Sequence, residues 1–268
     1  QSGCSEGQEK PSRLDPWRAR WSKGQTGWHL EDVNPALADF LGELLPGKPG
    51  HDGLGPRVLF PLCGKTADMP FLASQGFRVV GVEGVETPLQ EFAAAHGATG
   101  QLVPVALPPD VNPESYRGHA VMIKSGDGQR MPSPILFVLG DFLAIGAPEA
   151  QALVPFDAAF DRGGLVAVAP GDRPRYAEVL SSLLQPGGRL LLVTVEHDAF
   201  ADGRLGPPFE VTEQEVHALF DGSFEVRLLR REDRLPLDAG MRARGCARFS
   251  ECAYLLRRRQ AAAKAAAL

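Results

Sequence analysis

The feature that most restricts this chain is an alternation between residues 57 and 195, where short, almost wholly apolar runs are separated by amphipathic stretches of about ten to fifteen residues. An apolar run without polar alternation suits a strand buried on both faces. Covering both faces of a sheet takes helices that cross from one parallel strand to the next. The pattern therefore predicts an α/β fold, a doubly wound and mostly parallel sheet with helices on both faces.

Start and stop signals place the elements. A strand is predicted over residues 57–62, then a helix from Thr66 to Gln75 closed by Gly76, since glycine tolerates the left-handed conformation that ends a helix. A second strand over 78–83 leads to a helix with Thr87 as N-cap and Pro88 as first residue, ending at His96 before Gly97. Residues 102–134 break the pattern with prolines and glycines. They are predicted to be an insertion, with a hairpin turning around Ser125-Gly126-Asp127-Gly128 between Val121-Met122-Ile123 and a strand over 135–139. A strand over 156–161, a helix capped by Asp172 and running to Leu184, the turn Gln185-Pro186-Gly187-Gly188 and a strand over 189–195 continue the series. Thr212 and Glu215 have the spacing of a capping box opening a helix that ends near Asp221-Gly222. Two late strands are predicted over 224–229 and 252–256. The sequence holds no internal repeat, and the Ala-rich stretch from Gln260 onward reads as a frayed helix.

With 268 residues, 44% of them hydrophobic, the chain can bury a sizeable core as one large domain or two small ones. The unbroken βα series assigns residues 16–257 to a single domain, after a flexible extension over 1–15 and before a tail over 258–268. Cys4, Cys63, Cys246 and Cys252 are too sparse for a disulfide framework and have no zinc-ligand spacing, so free thiols, no metal and a cytoplasmic location are expected. A net charge of -5 gives no basic surface to displace counterions from phosphate backbones, which argues against nucleic acid. No apolar run approaches the roughly 20 residues of a membrane span, so no membrane partner is expected. The first residues hold no apolar signal segment, although the chain does not begin with Met and a removed presequence is left open.

In doubly wound sheets ligands bind beyond the carboxyl ends of the strands. The first such loop here is Pro61-Leu62-Cys63-Gly64-Lys65, which has one of the three glycines that a dinucleotide's diphosphate requires. Glu83 ends the next strand, where a carboxylate can accept both ribose hydroxyls. A nucleoside without phosphates fits better, and S-adenosylmethionine is such a ligand. Cys63 is expected only to pack beside it.

Four segments then carry a resemblance. They are Trp17-x-x-x-Trp21-x-x-Gly24-x-Thr26-x-Trp28-His29; Pro61-Leu62-Cys63-Gly64-Lys65 through Val80-Gly81-Val82-Glu83; Phe160-Asp161-Arg162-Gly163-Gly164-Leu165-Val166-Ala167 through Pro170-Gly171-Asp172-Arg173; and Gly206-Pro207-Pro208-Phe209. In these the chain resembles the thiopurine S-methyltransferases, which are S-adenosylmethionine-dependent enzymes with a seven-stranded, Rossmann-like class I methyltransferase fold. The resemblance departs at Gly84-Val85-Glu86 and in the long Gly- and Pro-rich loop over 47–56.

The resemblance implies an N-terminal helical lid carrying all three tryptophans, and a role for each matched residue. Trp17 and Trp21, four apart on a helical turn, would cover the methionine end of the cofactor, where aromatic faces favour a sulfonium cation, with Thr26 close by. Leu62 and Gly64 would offer backbone contacts and Glu83 would take the ribose hydroxyls. Gly140-Asp141-Phe142 would flank the adenine, with Asp141 accepting its amino group and Phe142 on its ring; a helix N-cap is the other reading of Asp141. Arg162 would lie at the cofactor near the transfer site as the catalytic candidate, with Asp161 orienting it. Trp28, standing where members commonly carry Phe, would meet the substrate along with Pro207 and Phe209 of the loop, and Arg242 is the candidate arginine near the thiopurine ring. The implied reaction moves the methyl group of S-adenosylmethionine to the sulfur of an aromatic or heterocyclic thiol such as a thiopurine and releases S-adenosylhomocysteine. Another soft nucleophile (an aliphatic thiol, a selenium or tellurium species, a halide) and a non-catalytic nucleoside-binding module are the alternatives. A monomer acting on a small-molecule thiol is expected.

Overall fold

A computed structural model describes residues 12–47, 55–123 and 134–260. The expected hairpin turn at Ser125–128, most of the 47–56 loop, Cys4 and residues 261–268 of the tail lie outside the described residues. The strands are β1 (Arg57–Pro61), β2 (Arg78–Glu83), β3 (Val103–Val105), β4 (Arg117–Val121), β5 (Ile135–Leu139), β6 (Phe156–Arg162), β7 (Leu184–His197), β8 (Phe224–Asp233) and β9 (Phe249–Arg258). The helices are α1 (Asp15–Ser22), α2 (Pro35–Leu44), α3 (Asp68–Ser74), α4 (Glu86–His96), α5 (Ala147–Leu153), α6 (Arg173–Leu183), α7 (Glu213–Phe220) and α8 (Ala239–Ala243).

The strands form one mixed sheet of nine in the order β3-β4-β5-β2-β1-β6-β7-β9-β8. From β5 to β7 neighbouring strands are parallel, and β9 and β8 close one edge antiparallel. That is the expected set of seven. The other two, β3 and β4, come from the insertion and add an antiparallel ladder beside β5, so the expected count is corrected from seven to nine. The pairing of β4 with β5 is the hairpin expected between Val121-Met122-Ile123 and the strand over 135–139, although β4 itself begins earlier, at Arg117; β3, three residues with a proline in the middle, was not expected. Pro104 sits in the edge strand, where a missing N–H is tolerated, and a Cβ at Gly118 would lie 2.4 Å from the Val105 carbonyl oxygen, so only glycine allows that close pairing.

Successive side chains of a strand point to opposite faces, and the core divides accordingly. Val58, Phe60, Leu191 and Val193 pack with α2, α3 and α4 on one face. Leu59, Leu190 and Leu192 pack with α5, α6 and α7 on the other. Gly81 in β2 exists for space: a Cβ there would lie 2.6 Å from Cys63 Sγ and 3.0 Å from the Phe137 ring. Gly81→Ala is therefore expected to cost about 1–3 kcal/mol of stability as an overpacked core, measured by denaturant unfolding.

Several boundaries differ from expectation. α4 begins at Glu86 after Val85, not at Pro88 after Thr87, because Glu83 Oε1 accepts the Val85 N–H at 2.9 Å and turns the chain early. Pro88 still falls in the first turn, whose N–H groups have no helical partner to lose. Asp172 occupies the N-cap position of α6, but its side chain makes no capping bond and a 3-10 turn over Pro170–Asp172 leads in instead. Thr212 does cap α7, accepting the Glu215 N–H at 3.3 Å, but the box is half-made because Glu215 pairs with Arg173 at 2.6 Å. Residues 185–188 are a bulge within β7, since Phe156 pairs with Leu184 while Ala158 pairs with Arg189. Among the described residues no helix is long and apolar enough to cross a membrane.

Candidate active site

The site is built at the carboxyl ends of the central strands. After β1 the backbone turns through Leu62 (φ 46) and Gly64 (φ 53), and Leu62 is the one non-glycine residue of the described chain in the left-handed region. A side chain there is strained by roughly 1–2 kcal/mol and persists only when its surroundings hold it. Two bonds to β2 do so. Cys63 N–H donates to the Val82 carbonyl at 3.0 Å, and Gly64 N–H donates to Glu83 Oε2 at 2.9 Å. Glu83 is buried, and burial raises its carboxyl above the ordinary carboxylate range against the opposing pull of those N–H groups. Two of about four acceptor positions on its oxygens are used by Gly64 and Val85. Burial, with Glu83 nearby, holds the Cys63 thiol protonated, consistent with a packing role.

The N-terminal segment lies across this loop. Arg13 Nε pairs with Asp141 at 3.1 Å, and Leu14 fills the space beside Gly84, where a Cβ would lie 2.6 Å from Leu14 Cδ2. Trp17 and Trp21 on α1 each meet the Trp28 ring edge-on, with centroids 5.7 Å apart and planes almost perpendicular. The Trp21 ring also sits 3.4 Å from where a Gly64 Cβ would be. Below the three tryptophans is a cavity of about 360 Å³.

At the end of β6 the acid and the base of Asp161-Arg162 part company. Asp161 does not orient Arg162, which corrects the expectation. It is fully buried and accepts the Gly164 N–H at 3.0 Å, the Leu165 N–H and the Tyr176 hydroxyl at 2.9 Å, so it fixes the loop that follows the strand. Adjacent residues of a strand face opposite ways. Arg162 points into the cavity and donates from Nη1 to the Trp28 carbonyl. Burial lowers its pKa, and Glu251, Asp68 and Asp238 oppose that shift.

Burial pushes the Asp161 carboxyl from 3.8 up to about 6. Between about pH 4 and 6 the folded chain thus binds more protons than the unfolded one, so its stability falls as pH rises through that window. Asp161→Asn is expected to flatten this fall in thermal unfolding measured across the same range.

Ten of the expected site residues line the one cavity: Trp17, Trp21, Trp28, Leu62, Gly64, Glu83, Asp141, Arg162, Pro207 and Phe209. Thr26, Gly140, Phe142, Asp161 and Arg242 do not. Asp141 caps a 3-10 turn by accepting the Leu143 N–H at 3.0 Å, which is the N-cap reading. That turn sends Phe142 into the core against Tyr176 and leaves Leu143 at the cavity instead. A Cβ on Gly140 would lie 2.3 Å from the Tyr116 ring, so this glycine serves packing. The Thr26 carbonyl closes the turn to His29 at 2.8 Å. Arg242 is exposed and donates to the carbonyls of Leu235 and Pro236, whereas Arg244 reaches Pro207. Arg13, Arg20, His29, Lys65 and Val168 also line the cavity and were not foreseen. His29 had a usable signal, its place beside Trp28; burial, then Lys65, lowers its pKa and keeps it neutral.

A sheet wound in this order, with a buried carboxylate rather than a diphosphate cradle beyond its first two strands, defines the class of S-adenosylmethionine-dependent methyltransferases. The fold is similar to that of solved methyltransferase structures. One is the Burkholderia thailandensis 1,6-didemethyltoxoflavin-N1-methyltransferase with S-adenosylhomocysteine bound, at a TM-score of 0.56 and 19% identity, covering 91% of this chain and 86% of that one. Another is from Methanosarcina mazei, at 0.54 and 16%, covering 86% and 100%. Within that class the chain belongs to the thiopurine S-methyltransferase family, whose model matches residues 12–259. Relatives named thiopurine S-methyltransferase include one from Pseudomonas aeruginosa, 34% identical over 92% of this chain and 99% of its own length, and one from Methylococcus capsulatus, 34% identical over 91% and 98%. The protein is an S-adenosylmethionine-dependent methyltransferase. Its cavity is lined by the buried carboxylate of Glu83 and by all three indole rings, Trp17, Trp21 and Trp28.

Proposed function

We propose that this enzyme methylates the sulfur of aromatic or heterocyclic thiols such as thiopurines. One observation carries the reading: Glu83 and Gly64 line the same cavity as the aromatic and cationic side chains Trp28, Phe209 and Arg162. S-adenosylmethionine supplies an electrophilic methyl group on a sulfonium and leaves as S-adenosylhomocysteine. The chain's own residues bind, orient and exclude water. Glu83, already fixed by the Gly64 and Val85 N–H groups, takes the ribose hydroxyls, and Trp17 and Trp21 present indole faces to the sulfonium. Leu62 and Gly64 offer backbone, and Asp141 faces the adenine.

Heteroaromatic thiols ionise near neutral pH, so the acceptor needs little acid or base chemistry. What it needs is a sulfur held about 3–3.5 Å from the methyl carbon and in line with the bond that breaks. Trp28, Pro207 and Phe209 form the walls that aim the ring, and Arg162 stabilises the thiolate. The segment from Arg13 to Leu30 acts as a helical lid, since Arg162 holds Trp28 and Asp141 holds Arg13. The test is a comparison of turnover on mercaptopurine, thiophenol, an aliphatic thiol, selenite and iodide. Preference for the two aromatic thiols supports the reading, and preference for any other acceptor contradicts it.

A further inference from the structure

We infer that His197 and Arg244 clamp the acceptor wall of the cavity, so that they set how well the thiol is held without contributing to cofactor binding. The inference rests on the reading above that Pro207 and Phe209 form that wall. Pro207 and Pro208 have no N–H, so this segment can be fixed only through its carbonyls and the Phe209 N–H. All three are taken. Phe209 N–H donates to the Val166 carbonyl at 2.7 Å, Arg244 Nη2 donates to the Pro207 carbonyl at 3.2 Å, and His197 Nε2 lies 3.0 Å from the Pro208 carbonyl.

His197, at the end of β7, is 3% exposed. Its Nδ1 lies 2.6 Å from the Asp198 carbonyl. Both ring nitrogens thus face carbonyl oxygens, which only accept. A neutral imidazole has one N–H and satisfies one of them, while an imidazolium satisfies both. The ring's plane is fixed by stacking on Phe200 (5.0 Å, 10°) and by Phe249 at 6.5 Å. The Arg244 guanidinium covers the Phe200 ring at 3.3 Å, so both donors of the clamp are locked by one aromatic side chain.

The charged and titratable groups packed around the imidazole are accounted for by other contacts. The Asp198 carboxylate accepts the Ala247 N–H at 3.2 Å and lies 3.6 Å from Arg248 Nε. Arg248 also pairs with Glu210 at 2.8 Å, and the Cys246 thiol lies 4.0 Å from the Asp198 carbonyl. Beyond Phe200, Arg204 Nε binds Asp202 at 2.7 Å. The wall is therefore held by one permanent cation and by one ring that makes both of its bonds only when protonated.

The experiment uses the full chain with thiophenol as acceptor, comparing wild type with His197→Gln, Arg244→Gln and Phe209→Ala. All three variants are expected to raise the acceptor KM about tenfold, the two clamp variants by the loss of one charge-assisted hydrogen bond and Phe209→Ala by the loss of the wall ring, with S-adenosylmethionine affinity by calorimetry unchanged. If Phe209→Ala raises KM while His197→Gln and Arg244→Gln do not, the clamp is overturned and the wall stands. If Phe209→Ala has no effect, the wall reading fails and takes the clamp with it. Weakened cofactor affinity in parallel with the raised acceptor KM also overturns it, since that marks a role in folding alone. Should His197→Gln not fold, Arg244→Gln, at a partly exposed site, decides the matter.

Discussion

Glu83→Ala is expected to weaken S-adenosylmethionine binding about a hundredfold or more in isothermal titration. The carboxylate accepts from Gly64 and Val85, each at 2.9 Å, and bonds to a charged group contribute about 1.5–3 kcal/mol apiece. Its loss leaves two N–H groups without their acceptor, frees the strained turn at Leu62 and removes the proposed ribose contact. Losing about 3 kcal/mol corresponds to roughly a hundredfold in affinity. Glu83→Gln keeps one acceptor but turns an NH2 toward the other N–H, so an intermediate loss is expected. If the alanine variant binds the cofactor within a few-fold of wild type, Glu83 is not the ribose ligand.

Arg162→Ala is expected to lower kcat/KM for an aromatic thiol by about a hundred- to a thousandfold, the size of effect seen when one preorganised charge-stabilising donor is removed. Cofactor affinity is expected to fall far less. Arg162 has two tasks, a cationic contact in the cavity and the bond to the Trp28 carbonyl. Arg162→Lys keeps the charge and loses the planar fork, so it should recover only part of the rate. Stopped turnover measurements separate the outcomes: equal losses in cofactor affinity and kcat/KM would make Arg162 a cofactor ligand alone, and full activity would remove it from the mechanism.

The parts of this fold legible in the sequence are those where burial is complete. The central runs of β1, β2, β6 and β7, such as Val58-Leu59-Phe60 and Leu190-Leu191-Leu192-Val193, are apolar because helices cover both faces, and that pattern has few other solutions. Gly76 was legible for a different reason: its φ of 90° is one that glycine adopts at no cost. Elements defined by tertiary contact left weaker traces. β3 is three residues with a proline in the middle, and it forms because Gly118 lets β4 come close. α2 did carry a signal in Asn34-Pro35, and Asn34 caps it by accepting the Ala36 N–H at 2.9 Å.

The site divides the same way. Residues on strand ends and in the first loop, such as Glu83, Gly64 and Arg162, could be placed from sequence because strand direction fixes where they emerge. Side-chain choices made by packing could not. Asp161 turned toward Tyr176 and the next loop's N–H groups, away from Arg162, because a fully buried carboxylate must find donors on its own face of the strand. Phe142 went to the core because a 3-10 turn begins at Asp141. Arg244, not Arg242, reaches the wall, since the short helix α8 points the two guanidinium groups to different carbonyls. Two residues along a helix face different directions, and spacing alone does not say which one faces the cavity.

The central claim is that one cavity brings S-adenosylmethionine and an aromatic thiol together for direct methyl transfer. The most direct measurement mixes the purified protein with S-adenosylmethionine and mercaptopurine and quantifies both products by mass spectrometry. Equal amounts of S-adenosylhomocysteine and S-methylated mercaptopurine, both strongly reduced in Glu83→Ala and Arg162→Ala, are the predicted result. S-adenosylhomocysteine without the methylated thiol, or methylation only of selenite or iodide, would contradict it.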